Sequence, residues 1–138
     1  MRTYDLPVLL KLCALVKGEE GAGQWLMDNG YRELFEFWDA VQHVEKSFNW
    51  LLENKHVELA ALVDGLHGKD NAKVFLVKSG HRELAALIDA VEGNKTAVLW
   101  LMKTGYKNWV PVAREIYMWN KKTEKESFWN LFNFGNPL

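Results

Sequence analysis

Residues 56–80 read HVELAALVDGLHGKDNAKVFLVKSG, and residues 81–105 read HRELAALIDAVEGNKTAVLWLMKTG. The two blocks are each 25 residues long and are identical at 12 positions without a gap. Self-similarity at a fixed period of this size is the sequence signature of a repeat architecture. We therefore interpret the chain as a tandem repeat.

The 25-residue frame extends in both directions from these two blocks. Residues 31–55 keep an aromatic ring at the first position, the Arg-Glu-Leu that follows it and the Asp at the ninth position. Residues 6–30 keep several glycine and apolar positions. Residues 106–138 begin in the frame and then depart from it. We predict a single helical-repeat domain over residues 1–138. Its units are 6–30, 31–55, 56–80, 81–105 and 106–138.

The apolar pattern within each unit predicts two helices. In the first half, apolar side chains recur at the fourth, seventh, eighth and eleventh positions, which is the stripe of an amphipathic helix. In three units a glycine follows this stripe, and glycine readily adopts the left-handed conformation that ends a helix. In unit 31–55 the two glycine positions hold His43 and Lys55, so one long helix through that unit stays an alternative.

Helix pairs of this size cannot bury their apolar stripes alone, but neighbouring pairs that stack share one continuous core. The predicted fold is all-α: a short α-solenoid of stacked helical hairpins, with four 25-residue units, a variant C-terminal unit and a cap. We expect the aromatic residues from Phe128 to Phe134 to form the cap over the last open face. The first helix would cap the other end.

Tryptophan is the unusual feature of the composition, with seven residues in 138. The repeat frame accounts for five of them, at one recurring position of the second helices or on first-helix stripes. The five predicted core residues are Trp25, Trp38, Trp50, Trp100 and Trp109. Trp119 and Trp129 remain outside the pattern.

The composition excludes several classes of protein. Hydrophobic residues make up 49% of the chain, which excludes disorder, and the single Cys13 excludes a disulfide framework. A net charge of −1 argues against a nucleic-acid binder that depends on bulk phosphate attraction. No apolar segment is long enough to cross a membrane, and scarce cysteine suits a reducing compartment. We predict a cytoplasmic protein that binds neither nucleic acid nor membrane.

No arrangement of residues typical of catalysis or metal binding is found in the sequence. Cys13 occupies a core position of the repeat, which predicts a buried, unreactive thiol. The four histidines lack the spacing of a metal site, and His56 and His81 share a position with Tyr31, which indicates a structural ring. We expect no cofactor and no enzyme activity. The alternative is a ligand-binding or catalytic pocket between units, lined by side chains such as Trp38, His43 and Trp50.

Two sets of acidic residues recur at fixed positions of the frame. In a solenoid, equivalent positions stack along one surface, so each set predicts a column of acids. The structural interpretation places the Asp side chains at unit junctions and the Glu side chains in first helical turns, where the helix dipole favours them. The functional interpretation is an acidic groove for a basic partner segment. The two columns are Glu33, Glu58 and Glu83, and Asp39, Asp64 and Asp89.

The C-terminal region offers a second surface for association. Residues 31–100 carry an excess of acidic residues and residues 101–138 an excess of basic ones, which favours head-to-tail association or an acidic partner. Trp129 and Phe132 in the aromatic tail are candidates for an anchor that binds another protein.

The second halves of two units resemble the second helix of an ankyrin repeat. Gly68 to Gly80 and Gly93 to Gly105 are twelve residues apart, and Ala-Val-x-Trp-Leu at 97–101 matches the small and apolar pattern of that helix. The Thr-Pro-Leu-His of ankyrin units is absent, and the shorter period leaves no room for their β-turn finger. The resemblance implies protein–protein recognition. We predict a non-catalytic interaction module, or a subunit of a larger assembly, that binds another protein or a second copy of itself.

Overall fold

The computed structural model describes residues 2–121, and that part of the chain contains helices and no strand. The predicted all-α fold of stacked helical hairpins is thereby confirmed. A short 3₁₀ turn at Lys107–Trp109 precedes the last helix. The α-helices are α1 Leu6–Val16, α2 Ala22–Asp28, α3 Arg32–Val41, α4 Glu45–Glu53, α5 Val57–Leu66, α6 Asp70–Lys78, α7 Arg82–Val91, α8 Lys95–Lys103 and α9 Val110–Lys121.

Each of the first four units contains one helix pair. We call the first helix of each unit, together with α9, an inner helix, and we call α2, α4, α6 and α8 outer helices. Every outer helix packs against the inner helix of its own unit and also against the next inner helix. Neighbouring units therefore share their apolar faces, which a single helix pair could not bury.

The inner helices close into a ring. Each of them packs against the next in the order α1, α3, α5, α7 and α9, and α9 then packs against α1. The rings of Trp38 on α3 and Trp119 on α9 also meet edge to face, with their centroids 4.8 Å apart. We expected α1 to cap one end of an open stack, and this expectation is wrong. The rotation between successive units therefore brings the fifth inner helix back to the first.

The core lies inside this ring and follows the predicted stripes. The residues at the fourth and seventh positions of the units lie on the side of the inner helices that faces the core. Their leucine and phenylalanine side chains are fully buried. Burying one such side chain stabilises the folded state by about 1.5–3 kcal/mol. The fully buried residues at these two positions are Leu9, Leu12, Leu34, Phe37, Leu59, Leu62, Leu84, Leu87 and Val112.

Unit 31–55 forms two helices and not one, because the chain turns at both positions where other units have glycine. His43 has a φ of 70° and Lys55 a φ of 65°, whereas Gly18 and Gly68 have φ values of 84° and 91°. A left-handed conformation costs a residue with a Cβ roughly 1–2 kcal/mol. Packing of the two helices against their neighbours outweighs this local cost.

This strain gives a prediction for Lys55, which is exposed at the end of α4. Replacing Lys55 with Gly removes the Cβ that disfavours its positive φ, so we expect the free energy of unfolding to rise by roughly 0.5–1 kcal/mol. Urea denaturation followed by circular dichroism measures the change. Lys55→Ala is the control, because it removes the same side chain but keeps the Cβ, and it should give no gain. A loss of stability in Lys55→Gly would show that the turn is not strained.

Candidate functional site

Aromatic rings stack at the junctions between units. The Trp near the end of an outer helix lies face to face with the ring that opens the next unit. The ring centroids are 6.3 Å apart for Trp25 and Tyr31, and 5.7 Å for Trp50 and His56. For Trp100 and Tyr106 the distance is 5.6 Å. The recurring ring at the unit boundary is therefore a structural contact, as its pattern predicts.

A cation covers the outer side of these stacks. The guanidinium carbon of Arg32 lies 4.6 Å from the centroid of Trp50, and that of Arg82 lies 5.7 Å from Trp100. In the first unit the ammonium of Lys11 lies 5.3 Å from Trp25. A cation over an exposed aromatic face contributes about 0.5–1 kcal/mol. Each Trp is thus held between a basic side chain and a ring.

The structure corrects part of the prediction that five of the tryptophans are core residues. Trp38 and Trp109 are buried in the core, as predicted. Trp25, Trp50 and Trp100 are only partly buried and pack against the edge of the core, so the prediction that they are core residues holds only in part. Each of these three tryptophans packs against a ring and a cation at the unit junction, and part of its side chain stays exposed to solvent.

The third unit, residues 56–80, departs from this arrangement. Val57 stands where units 31–55 and 81–105 have Arg32 and Arg82, and Phe75 stands in place of their tryptophans. Four large apolar side chains of this unit are 44–52% exposed. We call them the unit-3 patch. They are Val57 at the start of α5 and Val74, Phe75 and Val77 on α6.

Single exposed apolar residues are common on protein surfaces, but several on one short helix and its neighbour are a candidate contact surface. The unit-3 patch was not among the surfaces predicted from the sequence. The sequence feature that could have predicted it is the break in the repeat, where an apolar residue replaces an arginine that the flanking units keep.

The glutamate column is buried. Glu33, Glu58 and Glu83 lie in the first turns of α3, α5 and α7, and none of them is more than 8% exposed. A negative charge at this end of a helix is stabilised by the helix dipole. Burial leaves these carboxylates little surface for a partner and favours the structural interpretation of this column.

Glu33 joins the segment before α1 to the ring of inner helices. The Tyr4 hydroxyl donates a hydrogen bond of 2.7 Å to its Oε2 atom, and Arg2 donates one of 3.2 Å to the same atom. Burial, together with the hydrogen bond to Glu33, raises the pKa of Tyr4 far above its usual range. Tyr4 therefore stays a hydrogen-bond donor wherever the protein is folded.

The aspartate column is half-buried and partly paired with lysines of the third unit. Asp89 Oδ1 accepts a 2.9 Å hydrogen bond from Lys73 Nζ, and this bond raises the pKa of Lys73. Asp64 Oδ1 lies 3.3 Å from Lys69 Nζ. The pair between Lys73 on α6 and Asp89 on α7 links two successive units. Partly exposed pairs of this kind contribute about 0.2–1 kcal/mol each.

Asp39 differs from the other two aspartates and gives a test of the column. Burial and the nearby Glu36 carboxylate raise the pKa of Asp39 above its ordinary value. Because the folded state then favours the protonated acid, the contribution of Asp39 to stability is fully present below its unfolded pKa of about 3.9 and is lost as the pH rises through the higher pKa of the folded state. We expect Asp39→Asn to raise the free energy of unfolding near pH 7 and to lose this advantage near pH 3.

Urea denaturation at the two pH values measures this difference. Asp64→Asn is the matched variant, since it removes a carboxylate of the same column that has a lysine beside it, and it should not raise the stability near pH 7. If Asp39→Asn instead destabilised the protein near pH 7, the carboxylate would have a stabilising role that burial does not explain.

Cys13 lies in the core, and two of the four histidines stack on each other. Cys13 is buried, as predicted, and burial followed by the nearby Glu115 raises its pKa to about 12. The thiol therefore stays protonated at neutral pH. His43 and His67 stack with their ring centroids 4.3 Å apart, and His67 Nε2 lies 3.0 Å from the Val41 carbonyl oxygen. Within residues 2–121, no group of three or more His, Cys, Asp or Glu residues is placed to hold a metal ion.

The three side chains named for an alternative pocket take part in different contacts. Trp38 is buried and meets Trp119, Trp50 stacks on His56, and the exposed His43 stacks on His67. Of the predicted partner-binding residues, Trp129 and Phe132 lie outside the described residues, as does the predicted aromatic cap. No helix in the described part is long and apolar enough to cross a membrane.

Comparison with known protein families, with curated proteins and with solved structures finds no match for this chain.

Proposed function

We propose that this protein is a non-catalytic helical-repeat module that binds another protein through the unit-3 patch. The observation that supports the proposal is the exposure of Val57, Val74, Phe75 and Val77 in a unit that lacks the arginine and the tryptophan that its neighbours have at the positions of Val57 and Phe75. Clusters of exposed apolar side chains on a protein surface mark sites of protein–protein contact.

The architecture supports the same function. Stacked helical hairpins present extended surfaces, which repeat proteins use to bind other proteins. The resemblance of residues 97–101 to the second helix of an ankyrin repeat points in the same direction. A cytoplasmic location remains part of the proposal, because the single Cys13 carries a free thiol.

The patch also suits a second copy of this chain, which is the alternative partner. A small-ligand or enzyme function is the other alternative, and it requires convergent polar groups in an apolar cavity. The unit-3 patch is an exposed surface without buried polar groups of that kind, so it favours a protein partner.

Restoring the repeat pattern tests the proposal. The double variant Val57→Arg with Phe75→Trp gives the third unit the arginine and the tryptophan that units 31–55 and 81–105 have at these positions. We expect unchanged or slightly higher stability, by up to about 1 kcal/mol, because a cation–aromatic contact is added. We expect loss of the proteins that the wild type captures from its host lysate, measured by quantitative mass spectrometry.

Val77→Lys and Met27→Lys form a matched pair of controls. Both residues hold the same position of the repeat, two units apart, and both are exposed. Val77→Lys should abolish capture and Met27→Lys should preserve it, with equal melting temperatures. Capture that survives in Val77→Lys and in the double variant would refute the patch as the contact surface. Light scattering of the wild type distinguishes a second copy from a different partner.

A further inference from the structure

The seam between α1 and α9 differs from the other four seams of the ring. Between α1 and α3, α3 and α5, α5 and α7, and α7 and α9, an outer helix packs against both neighbours. At the α1–α9 seam no described α-helix takes this place, and the short 3₁₀ turn Lys107–Trp109 packs against both α9 and α1 instead. This seam therefore lacks an outer α-helix of the kind that covers the other four seams.

A groove with a volume of about 470 Å³ lies along this seam. On α1 it extends from Leu6 to Lys17, which is three turns or about 16 Å of helix. Leu6 and Leu10 are 38% and 46% exposed there, so the groove is apolar and open. Its other apolar lining residues are Met102, Val110 and Pro111.

The rim of the groove carries an excess of positive charge. Lys17, Lys107 and Arg114 line it together with one acid, Glu115. Glu115 Oε2 accepts a 2.6 Å hydrogen bond from Arg114 Nη1 and lies 3.6 Å from Lys17 Nζ, so two cations share one carboxylate. The Nε atom of Arg114 is buried without a hydrogen-bond partner. An occupant with acidic side chains would complement this rim.

We propose that the groove between α1 and α9 binds an acidic amphipathic helix of a partner protein. The outer helices show what fits such a seam, since each buries a small residue and, four positions later, a leucine. A partner helix with that apolar pair would lay it over Leu6 and Leu10, as amphipathic helices do in apolar grooves. Acidic residues beside the pair would lie near Lys17, Lys107 and Arg114. The buried pairs of the outer helices are Ala22 and Leu26, Ser47 and Leu51, Ala72 and Leu76, and Ala97 and Leu101.

This groove shares no residue with the unit-3 patch, so the two proposals are tested separately. The probe is a fluorescent peptide of about 14 residues, long enough for some helicity, with Ala and Leu four positions apart, Trp between them and Glu on its flanks. A second peptide has Lys in place of every Glu. We expect the full chain to bind the Glu peptide at least tenfold more tightly than the Lys peptide, as measured by fluorescence anisotropy.

Leu10→Asp and Leu52→Asp are the matched variants, because the two leucines are 46% and 45% exposed and only Leu10 lines the groove. Leu10→Asp should weaken binding of the Glu peptide at least tenfold, while Leu52→Asp and Val57→Arg with Phe75→Trp should leave it unchanged. The proposal is overturned if neither peptide binds the full chain, as it would be if residues of the chain itself covered the groove. Equal binding of both peptides, or unchanged binding in Leu10→Asp, would also overturn it.

Discussion

The contact of α9 with α1 is the constraint on which the rest of this structure depends. Without it, the inner helices would form a row with two apolar ends, and each end would need a separate cap. With it, every inner helix has two inner neighbours, and the leucine and phenylalanine side chains at the fourth and seventh positions of the first four units are buried. The short chain can therefore bury a continuous core from only five inner helices.

The packing of successive units decides the environment of the polar residues at the ends of the inner helices. The first turns of α3, α5 and α7 lie side by side, so Glu33, Glu58 and Glu83 are buried there, and Tyr4 and Arg2 bind the carboxylate of Glu33. At the unit junctions, stacked rings and cations take the place of a fully buried Trp. The geometry of one unit is repeated strictly enough that His43 and Lys55 adopt positive φ values where other units have glycine.

The helices and their buried stripes could be predicted from the sequence because both depend on local spacing, and five copies of one pattern reinforce each other. Closure could not be predicted, since it depends on the angle between successive units, which no single unit reveals. The half-burial of Trp50 escaped prediction for a related reason: its partners Arg32 and His56 come from the two ends of the frame. The glutamates were predicted as columns, but their burial depends on how closely α3, α5 and α7 pack side by side.

The unit-3 patch and the groove at the α1–α9 seam both emerge as departures from the repeat. Val57 and Phe75 depart from it in sequence, and the seam departs from it by having no described outer helix across it. In a repeat protein the regular positions maintain the fold, so surfaces with a separate role are expected where regularity ends.

Closure of the ring is tested most directly by nuclear Overhauser effects between the indole protons of Trp38 and Trp119. Their ring centroids are 4.8 Å apart, although Trp38 lies on the second inner helix and Trp119 on the fifth. A closed ring of helices predicts strong cross-peaks between the two indole groups in the wild-type protein. The Trp119→Phe variant assigns these cross-peaks, because it keeps an aromatic side chain but removes the indole signals of Trp119. An open row of helices would separate the two rings by two inner helices. Absence of cross-peaks between correctly assigned indole protons would contradict the closed ring.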